Sequence, residues 1–234
     1  MITPKAITFD INYEVRLQHP LFALGAGGTT MALKKVYEEI SPRYYIASSS
    51  LRGHNASTFA DLIGEVTLLN GASKLSIFGD RYAFSLVDRR DASDVDIFVD
   101  CIQLGEKALE GIQDFPQKAD SSISFEIKFE LNDEHATGTE FSNSIVAWTR
   151  QPDFRDLGNL RANHILLTEL TSEDQGWTCL LRAGTGAKFP KELLLSFFLT
   201  YSEKTVLQSL DQKRQQIEIL FERVTTFLGI KALP

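Results

Sequence analysis

The sequence predicts an α+β protein: a largely antiparallel, twisted sheet with helices packed on one face and long helices toward the C-terminus. Two observations carry that prediction. Residues 7–17 alternate strictly between apolar and polar side chains, and residues 121–131 repeat the pattern; a period of two with one wet face marks a strand of an antiparallel sheet. Between and after these strands lie segments whose apolar residues recur at the three-to-four-residue spacing of helices packed on a core.

In the first strand Ile7, Phe9, Ile11, Tyr13, Val15 and Leu17 face one way, while Thr8, Asp10, Asn12, Glu14 and Arg16 face the other. Pro20 and a run of glycines break the chain. A helix is then expected over Thr29–Ile40, with Met31, Leu33, Val36, Tyr37 and Ile40 inward and Pro42 stopping it. Arg43–Ser49 reads as a strand, Ser57–Gly64 as a short helix and Val66–Leu69 as a strand. Lys74–Phe78 and Tyr82–Val87 form two strands about a tight Gly79-Asp80-Arg81 turn. Ser93–Ile112 carries Val95, Phe98, Cys101, Ile102, Ala108 and Leu109 near helical spacing. After the alternating strand at 121–131, strands are expected at Ser144–Thr149, His164–Leu170 and Trp177–Arg182. Pro190 suits a helix's first position, and Leu193, Leu194, Phe197, Phe198 and Tyr201 predict an apolar helix behind it. A second amphipathic helix is expected from about Thr205, its seam interrupted by Lys213. Residues 74–113 and 163–209 share an order of strand, turn, strand, helix. The expected organisation is a single domain over 1–234, with two similar lobes at 1–115 and 116–234 as its internal arrangement.

Composition narrows the function classes. The chain has 234 residues, 43% hydrophobic and 24% charged, which is ordinary for a globular domain able to bury a core. A net charge of −7 without a basic run disfavours nucleic acid as a partner. Cys101 and Cys179 sit in apolar stretches and form no metal-binding motif. The opening MITPKAITFDINY lacks the basic-then-apolar order of a secretory signal, and no uncharged apolar stretch approaches a membrane span. A cytoplasmic location away from membranes is therefore expected.

Two motifs bear on chemistry. Leu75-Ser76-Ile77-Phe78-Gly79-Asp80 followed by Ser93-Asp94-Val95-Asp96-Ile97 resembles the signature of polymerase-β-type nucleotidyltransferases. The resemblance implies Asp94 and Asp96 as metal ligands, Glu126 as the third carboxylate, and Mg2+ with a nucleoside triphosphate as cofactors; paired carboxylates there hold two cations that bridge the triphosphate. Asp80 stands where that signature has serine, and Tyr82–Val87 reads as a strand where it begins a helix. The simpler alternative has Ser93 capping a helix whose first turn carries Asp94 and Asp96.

The second motif is Leu24-Gly25-Ala26-Gly27-Gly28-Thr29-Thr30, a glycine turn entering a helix. Free N–H groups at such a turn attract anions. It resembles the dinucleotide-binding fingerprint and would make Gly25, Gly27, Gly28 and Thr29 an anion-binding, dinucleotide-type site. Thr30 replaces the third glycine, and no acidic residue ends the next strand.

Neither motif completes a catalytic set. The favoured expectation is thus a non-catalytic binding or protein-interaction domain without a cofactor. It would take a small hydrophobic ligand between sheet and helices, or an unknown protein partner, and the C-terminal helices offer a surface for homo-oligomers. A strand-rich sheet followed by a long C-terminal helix resembles the helix-grip ligand-binding domains.

Overall fold

A computed structural model of the chain describes residues 4–21, 28–55, 57–90, 93–131, 165–172, 177–185, 192–201 and 210–227. In chain order these form β1 (Pro4–Leu17), α1 (Gly28–Ile40), β2 (Leu51–Gly53), β3 (Leu62–Leu68), β4 (Ser73–Phe78), β5 (Arg81–Arg89), α2 (Ser93–Glu110), β6 (Lys118–Leu131), β7 (Ile165–Ser172), β8 (Trp177–Thr185), β9 (Glu192–Tyr201) and α3 (Leu210–Phe227). The chain is a mixed helix-and-strand protein with a large antiparallel sheet, as expected.

The nine described strands make one sheet in the order β2-β3-β4-β5-β1-β6-β9-β8-β7, with every neighbouring pair antiparallel. The two long alternating strands lie side by side at its centre, Ile11 opposite Phe125 and Tyr13 opposite Ile123. Their alternation has the anticipated cause. Phe9, Ile11, Tyr13, Val15 and Leu17 are buried, as are Ile123, Ile127 and Phe129, while Glu14, Glu126 and Lys128 occupy the polar set. From the central pair the order runs outward as β5, β4, β3 on one side and β9, β8, β7 on the other. Each side ends its sequence as three strands and a helix.

A bulge lies between β1 and β5, where Phe9 opposes Arg89 but Ile11 opposes Leu86. Asp88, on the longer strand, takes a positive φ of 53°, and its N–H donates to Asp10 Oδ1 at 2.6 Å. Bulges of this kind re-aim neighbouring side chains.

α2 comes very close to the sheet. A Cβ added to Gly105 would lie 2.5 Å from Phe84 Cζ, so only a residue without a side chain fits there. α1 packs beside α2. On α1, Leu33, Val36 and Ile40 are buried as expected, but Met31 and Tyr37 are 41% and 37% exposed, and Ala32 fills the core position instead.

Three local expectations are corrected. Residues 43–49 are not a strand: turns lead into a 3-10 turn at Ser48–Ser50, and only Leu51–Gly53 pairs with β3. The reason is that this segment closes α1, with the N–H groups of Arg43 and Tyr44 donating to the Ile40 carbonyl, and Arg43 and Tyr44 reaching Asp100 on α2. Ser57–Gly64 is not a helix. The Asp61 carboxylate accepts the N–H groups of Ser57 and Thr58 at 2.7 and 2.8 Å, a local side-chain turn that competes with helix, and β3 starts at Leu62.

The largest correction concerns the C-terminal region. Glu192–Tyr201 is strand β9, not a helix, held between β6 and β8. Leu195, Phe197, Leu199 and Tyr201 are fully buried every second residue. The run is apolar enough to satisfy either period, and pairing on both edges decides it. One long C-terminal helix remains, α3. The strand expected at Ser144–Thr149 and the helix-starting Pro190 lie outside the described residues.

Candidate functional site: a cavity between the central strands and two helices

The central strands present Phe9 and Ile11 from β1 and Ile123 and Phe125 from β6. α2 contributes Val95, Phe98, Val99 and Ile102, at the i, i+3, i+4, i+7 positions of one helix stripe, and α3 contributes Leu210, Arg214, Ile217 and Glu218. Together they line a partly open cavity of about 190 Å³. The rings of Phe9 and Phe125 stack across the central strand pair, with centroids 6.0 Å apart and planes inclined by 14°. The wall is thus almost wholly apolar.

Charge is confined to the rim. Arg214 donates through Nη1 to Asp96 at the start of α2 and through Nε to Glu218 at 2.9 Å. Asp96 holds the guanidinium pKa above its ordinary value, with Glu218 adding to the effect. Arg214 therefore ties α3 to α2 beside the cavity.

A second, fully polar cluster lies under the helices. Glu106 Oε1 accepts the hydroxyls of Tyr13 at 3.1 Å and Tyr82 at 2.7 Å, and Lys118 bridges Glu106 and Glu110 at 3.0 Å each. Burial, reinforced by Glu106, pushes both tyrosines well above their usual pKa. Burial works against the Lys118 charge, but Glu106 and Glu110 outweigh it and leave the ammonium raised. Lys213, the residue that breaks the α3 seam, is 1% exposed. Its ammonium donates to Ser121 Oγ at 2.9 Å and lies 4.9 Å from the Tyr201 ring centroid and 5.5 Å from that of Tyr13. Burial draws its pKa down to about 8, a fall that Glu106 partly opposes.

Asp94 and Asp96 sit in the first turn of α2, not on a strand. Two residues apart on a helix, they point in different directions. Asp94 pairs with Arg89 at 2.7 Å and Asp96 with Arg214. Glu126 belongs to the polar set of β6, where it accepts from Ser196 Oγ at 3.2 Å and neighbours Lys128 at 3.8 Å. The three carboxylates are not brought together. Among the described residues, no group of three or more His, Cys, Asp or Glu side chains is placed to hold a metal ion. Gly25 and Gly27 lie outside the described residues; Gly28 and Thr29 open α1. His19 and His54 are exposed. Cys101 and Cys179 are buried free thiols, pushed by burial up to about 12 and about 11.

No protein-family model matches the chain, and no curated protein matches it. Among solved structures, a Methanococcus jannaschii TBP overlays 96% of this chain and 98% of its own at 8% identity, with a TM-score of 0.28. A TM-score this low carries no argument about fold or partner. No helix among the described residues is long and apolar enough to cross a membrane.

A space between sheet and helices was expected, but its lining residues and both charged clusters escaped the sequence. Their members come from strands and helices far apart in the chain, and only the fold assembles them. One signal was present: a lysine inside an apolar helical seam, at position 213, marks a charge that the fold has to house.

Proposed function

We propose that the chain is a non-catalytic binding module that takes a small, largely apolar molecule between its sheet and its helices. In this reading α1, α2 and α3 share one face of the sheet, and the chain consists of two similar lobes joined along β1 and β6. The setting is cytoplasmic, in keeping with two unpaired, buried thiols. The observation that carries the reading is the apolar cavity of about 190 Å³ over the central strands. Elsewhere, an engineered apolar cavity of roughly 150 Å³ stays dry and admits benzene. The space here suits a single or fused ring with few substituents. An apolar occupant gains dispersion contacts with these walls.

Indole tests the proposal. At about one hundred times its dissociation constant, a ligand of the native state stabilises by roughly 2.7 kcal/mol, so the thermal midpoint should rise with indole concentration. Val99 lines the cavity and is only partly buried. Val99→Trp should fill the space, stay folded and abolish the rise. No rise in the wild-type chain, or an equal rise in the filled variant, would overturn the reading.

A further inference from the structure

We infer that the cavity's ligand is uncharged and that the Arg214–Asp96 ion pair is a latch across the cavity mouth, controlling how fast the ligand enters and leaves. The inference rests on the binding reading above and adds to it a ligand class and a gate.

The ligand class follows from where charge stands. The walls offer aromatic and aliphatic carbon from Phe9, Phe98, Phe125, Ile102 and Ile217. A charge carried into such a space needs a partner there, or it strongly disfavours binding. The three charged groups at the rim already satisfy one another: Arg214 donates to Asp96 and to Glu218. An anionic ligand reaching for Arg214 would meet two carboxylates beside it, and the rim sums to one negative charge. A cationic ligand would have to displace Arg214 from both acids. A neutral molecule leaves the arrangement intact.

The latch follows from which elements the pair joins. Val95, Phe98, Val99 and Ile102 of α2 form one wall, and Leu210 and Ile217 of α3 form another. Asp96 projects from the same first turn of α2 as Val95, and Arg214 lies one helical turn from both Leu210 and Ile217. The pair therefore spans from wall to wall. Both side chains are partly open to solvent, at 35% for Arg214 and 64% for Asp96, so the tie is weak enough to break and re-form. Asp96 does not line the cavity. Its removal changes the gate without changing the walls, and Arg214 keeps Glu218 as a partner.

Three matched probes and one substitution test both parts: indole-3-carboxamide, indole-3-carboxylate and 3-(aminomethyl)indole. The carboxamide should bind at least about tenfold more tightly than either charged analogue, as the cost of burying an unpartnered charge implies. With the carboxamide, Asp96→Asn should raise association and dissociation rates together by about 1.4- to 5-fold, the span that corresponds to an exposed ion pair, and leave Kd unchanged. Salt at 1 M, where screening acts within about 3 Å, should speed exchange in the wild-type chain and add little in the variant. Tighter binding of either charged analogue would overturn the assigned ligand class. Unchanged rates in Asp96→Asn with binding intact, or a change in only one of the two rates with the shift in Kd that this brings, would overturn the latch alone. Absence of binding by every probe to the wild-type chain would overturn the binding reading along with this one.

Discussion

Replacing Lys213 by methionine probes how the fold houses a charge in its interior. The Lys213 side chain is 1% exposed, and burial lowers its pKa from 10.5 to about 8. At 1.36 kcal/mol per pKa unit, the charged form at pH 7 carries a penalty of roughly 3 kcal/mol. Methionine keeps an unbranched stem of similar reach and removes that penalty. Two losses oppose the gain. The Ser121 hydroxyl loses a partner 2.9 Å away, worth about 1 kcal/mol, and the contacts of the ammonium with the Tyr13 and Tyr201 rings disappear, worth about 0.5–1 kcal/mol or somewhat more. A net stabilisation of about 1 kcal/mol at pH 7 results, or roughly 2–4 °C in Tm for a chain of this size. The pH dependence gives the sharper signature. Because the folded-state pKa is depressed, the unfolded chain binds more protons between about 8 and 10.5, and wild-type stability gains a contribution as pH rises through that window. The methionine variant lacks this contribution, so its advantage should be complete at pH 7 and shrink toward pH 10. Urea denaturation of both chains at pH 7, 8, 9 and 10 measures the difference, in which the shared tyrosine titrations cancel. A variant less stable than wild type at pH 7, or a difference constant across the series, would refute the reasoning.

Glu106→Gln should destabilise by about 2–4 kcal/mol in urea denaturation, since a carboxylate that accepts from Tyr13 and Tyr82 and pairs with Lys118 is lost from the interior. The same variant should ionise Tyr13 and Tyr82 at lower pH in an ultraviolet titration, because Glu106 helps hold both raised. Gly105→Ala should destabilise by about 1–3 kcal/mol through overpacking, as the new methyl carbon would meet Phe84 at 2.5 Å. Helix propensity alone would give the opposite sign, so a rise in Tm would count against the close approach of α2 to β5.

The fold was most readable where one face of an element is wet. β1 and β6 announce themselves because hydrated Glu14, Glu126 and Lys128 alternate with core residues, and α2 because Val95, Phe98, Ile102 and Leu109 keep a single stripe. β9 was misread because its polar-side positions are apolar too: Phe198 is 45% exposed and faces Leu180, itself 43% exposed, across the β8–β9 pair. Without polar punctuation the two periods cannot be told apart from one segment, and the edges offered by β6 and β8 decide. Tyr44 and Tyr45 have strand-forming side chains, yet their segment is drawn into closing α1 and bonding Asp100. The paired aspartates were located on their helix by the capping pattern, but their partners Arg89 and Arg214 come from the fold.

The central strand pair also bears on how the chain becomes ordered. β1 finds β5 within the first ninety residues, whereas its other edge waits for β6, with Pro4 eventually facing Leu131. The partners of that second edge lie more than a hundred residues from β1 in the chain, so this pairing is expected to form after the β1–β5 pair. Until it happens, a fourteen-residue strand offers its unpaired N–H and C=O groups to any neighbouring chain. A fragment ending after α2 would keep that edge open permanently, and such a half-protein is expected to associate edge to edge rather than stay dispersed.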